Sequence, residues 1–188
     1  MNPIMIAANT AEFYHRGQLR KYSQKPYIIH PCRVAGRIML HESASESLIA
    51  AAWCHDLLED TDISYEELER KIGTQAATWV QELTNPSKGS SEKRAARKKM
   101  DREHIANISQ EAKLIKLLDR SDNITEFTND INYTCGLDID MLHFAKLYAE
   151  ESKMLLEQSL VGVDKKLEGL LKSEIFSLDI RATHFLGK

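Results

Sequence analysis

Residues 48–60, LIAAAWCHDLLED, constrain this chain more than any other stretch. Leu48 to Cys54 is apolar on every side, which predicts a helix running through the middle of a domain. His55, Asp56, Glu59 and Asp60 then follow within about one and a half turns. On a continuous helix His55 lies above Leu48, Ala51 and Ala52, Glu59 continues that stripe, and Asp60 sits one turn beyond Asp56. Carboxylates are expensive to bury without a partner. The C-terminal end of a helix also disfavours negative charge, by about 0.3–1 kcal/mol per group. A bound divalent metal ion removes both objections. The alternative is that Glu59 and Asp60 emerge into solvent and His55 is a satisfied core histidine. This segment alone leaves both readings open.

The remainder also reads as helix, and the predicted fold class is all-α. Val34, Ala35, Ile38 and Met39, and again Met141, Ala145 and Tyr148, recur at three- or four-residue spacing. Ser43 with Glu46, and Ser64 with Glu67, have capping-box spacing, and Pro31 suits a first helical turn. Polar breaks are expected at 17–25, 85–91 and 128–138. The chain has 188 residues, which suits one helical domain through about residue 157 with a helical extension over 158–188 packing on it. The leucines at 155, 156, 160, 167, 170 and 171 predict that packing, with a homo-oligomer face as the alternative.

A formal charge of −3 argues against nucleic acid as a partner but leaves open an anionic small molecule. Cys32, Cys54 and Cys135 are far apart, odd in number and without CxxC spacing, which predicts reduced thiols in a cytoplasmic protein. No signal peptide and no membrane-spanning apolar run are expected.

Other residues bear on the metal question. His30 stands before Pro31 at the mouth of an amphipathic helix, and Asp119 interrupts the apolar segment Leu114, Ile115, Leu117, Leu118. Asn123 and Glu126 share roughly the face of Asp119. His30, His55, Asp56 and Asp119 form a mixed nitrogen/oxygen set that suits Mn2+, Fe2+ or Mg2+ better than a thiolate-favouring metal.

The blocks HRGQLRK, PYIIHP, HDLLEDT and KLLDRSDN, in that order over about residues 8–127, resemble the HD superfamily. They are most similar to the hydrolase domain of RelA/SpoT-type enzymes and their small stand-alone relatives. Those enzymes hydrolyse guanosine 3′,5′-bis-diphosphate at its 3′ pyrophosphate with Mn2+. The resemblance implies an HD-domain helical bundle in which His30, His55, Asp56 and Asp119 hold the metal. Glu59 and Asp60 would position and deprotonate the attacking water. Arg20, Lys21 and Asn123 would hold the nucleotide.

Two positions depart from the alarmone hydrolases. Asp122 stands where they usually have an aromatic or histidine, and Glu126 where they often have a small hydroxyl residue. Both add negative charge where a phosphorylated substrate would lie. They favour considering another nucleotide, including a phosphorylated dinucleotide, and a non-catalytic nucleotide sensor or interaction module is the alternative from another class. The residues behind the motifs read as helices rather than a nucleotidyltransferase sheet. The basic run 88–99, with Arg94 and Arg97, reads first as a solvated helix face and second as a rim that attracts polyphosphate. Lys113, Lys116 and Arg120 are weighed the same way. His15 is expected near the site without being a ligand, Trp53 in the core, and His41, His104, His143 and His184 in structural or surface positions.

Overall fold

The computed structural model describes residues 2–134, 136 and 138–187, and these contain no strand beyond an isolated bridge between Leu19 and Pro26. The helices are α1 (Pro3–Tyr14), α2 (Ile29–Met39), α3 (Glu46–Cys54), α4 (Leu57–Asp60), α5 (Tyr65–Ile72), α6 (Thr74–Leu83), α7 (Arg94–Ile105), α8 (Gln110–Tyr133), α9 (Ile139–Leu155) and α10 (Lys165–Leu186). A π-helical turn, Leu156–Leu160, prolongs α9. Among the described residues no helix is long and apolar enough to cross a membrane. Cys135 lies outside the described residues.

Side-chain caps start many of these helices. Ser64, Ser109, Asp138 and Asp164 each accept a hydrogen bond from the backbone N–H three residues on. Each such cap satisfies an otherwise orphaned donor and contributes about 1 kcal/mol. The expected cap at Ser43 falls instead on Ser45, whose extended backbone (φ −131°, ψ 159°) aims its side chain at Leu48 N. Ser43 is held in the preceding turn, where its N–H donates to His41 Nδ1.

Helix α3 is the buried element its composition implies, with Leu48, Ile49, Ala50, Ala51, Ala52 and Cys54 all in the core. Helices α1, α2 and α6 pack around it, and α8 packs on α2, α6, α9 and α10. Trp53 packs against the same core, as expected.

The sequence pattern suggested that α3 continues through Asp60. It does not. The chain turns at His55 and Asp56, and His55 Nδ1 donates back to Ala52 O at 2.9 Å, occupying a terminal carbonyl of α3. Glu59 and Asp60 therefore sit in the separate turn α4, so the penalty weighed for the end of a long helix does not arise. A second difference concerns 128–138, where α8 persists to Tyr133. Ile124, Phe127 and Ile131 extend its buried stripe and outweigh the polar residues between them. Helix α10 buries Leu171, Ile175, Leu178 and Ala182 against α8 and α9, and Glu174 accepts from Ser121 and Thr125 of α8.

Candidate metal centre and nucleotide pocket

Three elements converge on one point: the start of α2 brings His30, the α3–α4 turn brings His55 and Asp56, and the middle of α8 brings Asp119. Ligand atoms of His30, His55 and Asp56 lie within 4.8 Å of one another. His30 Nε2 is 3.2 Å from His55 Nε2 and 3.2 Å from Asp119 Oδ1. Asp56 Oδ2 is 3.1 Å from His55 Nε2 and 3.7 Å from His30 Nε2.

The tautomers follow from the partners. His55 Nδ1 faces a carbonyl and His30 Nδ1 faces the Asp122 carboxylate at 2.7 Å, and both partners only accept. Each Nδ1 carries the hydrogen, so in neutral rings both Nε2 lone pairs point into the same space as Asp56 and Asp119. His30, His55 and Asp56 fit a divalent cation, with Asp119 Oδ1 beside them accepting from Asn123, and the carboxylate and carbonyl behind the imidazoles are the supports that metal-bound histidines use. Without a cation, protons must fill that role. Burial opposes them, but hydrogen bonds with Asp119 and Asp122 win and push His30 up to about 9. His55 is raised in the same way by Asp56, against its burial. Burial would raise Asp56 and Asp119, yet neighbouring cationic groups hold both well below the usual carboxylate range.

The acidic pair stands beside this cluster. Glu59 is gripped by Asn85, whose Nδ2 donates to its two oxygens at 3.0 and 2.9 Å. Tyr27 donates its hydroxyl to Asp56 Oδ2 at 2.6 Å and lies 3.3 Å from Asp60 Oδ2. Desolvation, reinforced by Asp56 and Glu59, pushes Asp60 up to about 6.

A cavity of about 280 Å³ opens next to the cluster, lined among others by Arg20, Lys21, Tyr22, Asn123, Glu126 and Phe144. The irregular segment between α1 and α2 delivers Arg20 and Lys21. Arg20 donates to Asn123 Oδ1 at 2.6 Å and to Glu126 Oε2 at 3.1 Å, while Asn123 Nδ2 reaches Asp119 Oδ1. Lys21 Nζ lies over the rings of Tyr22 and Phe144, 4.9 and 5.2 Å from their centroids. Cations, aromatic faces and amide groups around such a volume suit a nucleotide.

The profile of the HD domain family matches residues 7–134. The chain belongs to that family. Among curated proteins it is 33% identical over 172 residues to the guanosine-3′,5′-bis(diphosphate) 3′-pyrophosphohydrolase MESH1 of Homo sapiens, with 90% of each chain covered. It is 38% identical over 126 residues to the Xenopus tropicalis enzyme of that name, covering 65% of this chain and 68% of the other. A solved structure described as a metazoan ortholog of SpoT that hydrolyzes ppGpp superposes with a TM-score of 0.75 at 29% identity, covering 94% of each chain. The protein is a metal-dependent HD-domain phosphohydrolase related to RelA/SpoT-type alarmone hydrolases.

Within this HD domain, the charges added by Asp122 and Glu126 behave differently from the sequence expectation. Asp122 lies buried behind His30, and Arg33 grips it through Nε and Nη2 at 2.7 and 2.8 Å. Glu126 does line the cavity, but it is paired with Arg20, Arg33 and Ser23. Burial raises both carboxylates, and these partners more than offset it. Arg33 escaped the sequence reading; its only signal was a cation three residues after His30, on the same helix face. Tyr27 and Asn85 escaped it too, because their partners are 29 and 26 residues away.

Other expectations resolve individually. Lys116 donates to Asp119 Oδ2 at 2.9 Å, whereas Lys113 caps Ala106 O. Arg120 lies over Tyr148. Arg94 is not on a solvated face: it forms two 2.7 Å bonds to buried Glu151 and stacks over Phe144, because a buried carboxylate demands a cation. Arg97 is half-buried. His15 is buried against Tyr27 and Gln18, near the site and not within the cluster. His41 pairs with Asp164 and His104 with Glu82 O, while His143 and His184 are exposed.

Proposed function

We propose that this HD-domain protein hydrolyses the 3′ pyrophosphate of guanosine 3′,5′-bis-diphosphate, with Mn2+ held by His30, His55, Asp56 and Asp119. The observation that carries the reading is the facing pair of Nε2 atoms, 3.2 Å apart, flanked by Asp56 and Asp119 and joined through Tyr27 and Asn123 to the wall of the neighbouring cavity. The relatives named above are pyrophosphohydrolases of that substrate, which supports the choice of nucleotide.

The bound cation would supply Lewis acidity, offsetting charge on the phosphoryl oxygens and lowering the pKa of water. The chain's own residues do the rest. Arg20, Lys21 and Asn123 hold the nucleotide so that its 3′ phosphorus reaches the cluster. Asp60, whose carboxylate is raised in the metal-free site by desolvation and by Asp56 and Glu59, is placed to take a proton from the attacking water. Glu59, fixed by Asn85, orients that water. The water oxygen bonds to phosphorus, the 3′ oxygen leaves and is protonated, and pyrophosphate separates from guanosine 5′-diphosphate. A cytoplasmic setting suits this substrate, and Cys32 and Cys54 are free thiols.

A second reading, a phosphorylated nucleotide with fewer charges, draws support from Glu126 and Asp130 in the cavity wall beside the two cations. Incubating the Mn2+-loaded protein with a nucleotide panel, and measuring phosphate and pyrophosphate separately, tests both. Pyrophosphate release from the bis-diphosphate supports the first reading. Phosphate release from a simpler nucleotide replaces it with the second, and no turnover on any nucleotide overturns both.

A further inference from the structure

The structure points to Arg33 as a positioning residue that ties the nucleotide pocket to the metal centre, a proposal that rests on the metal reading above. Residues His30 and Arg33 lie three apart on α2, and Asp119, Asp122, Asn123 and Glu126 lie three or four apart along α8. The two faces meet side by side.

Their side chains close a ring. Behind the metal centre, His30 Nδ1 bonds Asp122 Oδ2 at 2.7 Å, and Arg33 takes both Asp122 oxygens at 2.7 and 2.8 Å. Arg33 Nη2 then reaches Glu126 Oε2 at 2.5 Å. Glu126 meets Arg20 at 3.1 Å, Arg20 meets Asn123 at 2.6 Å, and Asn123 returns to Asp119, 3.2 Å from His30 Nε2. One guanidinium thus serves two carboxylates with separate jobs.

Toward the metal, a planar guanidinium bonded through two nitrogens fixes the plane of the Asp122 carboxylate. That carboxylate in turn fixes the His30 ring with Nε2 facing the cluster. Such supports behind a metal-binding histidine typically change metal affinity 10–100-fold when removed. Toward the nucleotide, Arg33 neutralises Glu126, whose charge otherwise bears on Arg20 and on an anionic substrate. The Arg33 side chain is 35% exposed, so replacing it opens no cavity in the apolar core, although buried Asp122 and Glu126 lose a partner and the melting temperature falls.

The test measures two quantities: Mn2+ affinity by titration of metal-stripped protein, and KM at saturating Mn2+ for the substrate identified by the nucleotide panel. Arg33→Met is expected to weaken Mn2+ binding about tenfold or more and to raise KM. Arg33→Lys should recover little of the metal affinity, since an ammonium cannot grip both oxygens. Adding Glu126→Thr to Arg33→Met should restore KM while leaving the metal defect, because the two effects run through different carboxylates. Mn2+ affinity in Arg33→Met and Arg33→Lys within twofold of wild type overturns the proposal, whatever happens to the melting temperature. Wild-type protein that binds no Mn2+ overturns the metal reading along with it.

Discussion

Asp56→Ala is the sharpest probe of the metal centre. Its Oδ2 sits 3.1 and 3.7 Å from the two Nε2 atoms, so the substitution removes the carboxylate of the three grouped ligand residues and leaves a gap between the rings. A ligand that binds only the folded state stabilises it by about 2.7 kcal/mol at a concentration 100 times its Kd. For a chain of this size each kcal/mol moves Tm by about 2–4 °C. Saturating Mn2+ should therefore raise wild-type Tm by roughly 5–11 °C. In Asp56→Ala most of that increment should vanish. The increment should also depend on pH. His30 is raised to about 9 by its carboxylate partners, above the ordinary histidine value of 6.5. In metal-free protein this proton therefore contributes stability that is full below about 6.5 and is lost as pH rises through about 9. Metal binding releases that proton, so apparent affinity climbs over the same window. Differential scanning fluorimetry at pH 6, 7.5 and 9, with chelator or with Mn2+, reads both effects. A wild-type Tm indifferent to Mn2+ at every pH, or an Asp56→Ala response equal to wild type, would refute the reasoning.

Glu59→Gln should keep the Mn2+-dependent Tm shift yet lose about 100-fold in kcat, the scale of misplacing the attacking water; steady-state rates near wild type would remove Glu59 from the chemistry. Asn85→Ala should lower kcat in the same direction but less, because the Glu59 carboxylate loses its clamp and keeps its charge. Asp60 is raised to about 6 in the metal-free site and a cation on Asp56 lowers it, so kcat should fall on an acid limb lying below pH 6 as the carboxylate protonates, and a pH–rate profile of Asp60→Asn that keeps the same limb would assign it elsewhere. In the core, Leu48→Ala should cost about 2–5 kcal/mol in urea unfolding without changing the denaturant slope, and a loss below 1 kcal/mol would contradict the central placement of α3.

The fold class, the buried α3 and the grouping of His30, His55, Asp56 and Asp119 were legible in the residues themselves. Apolar periodicity is local, and a buried histidine or carboxylate advertises a partner wherever the chain puts it. What the sequence could not reveal is how elements distant in the chain face one another. The break at His55 depends on a side chain that finds a carbonyl of its own helix end, which no periodicity encodes. Asp122 and Glu126 looked like charges added to a substrate site. Only the packing of α2 on α8 decides that one is buried behind His30 and that both share Arg33. Tyr27 on Asp56 and Asn85 on Glu59 are likewise contacts across 29 and 26 residues. A charge's effect depends on its distance and surroundings, and those are set by tertiary contacts that spacing along a single chain does not contain.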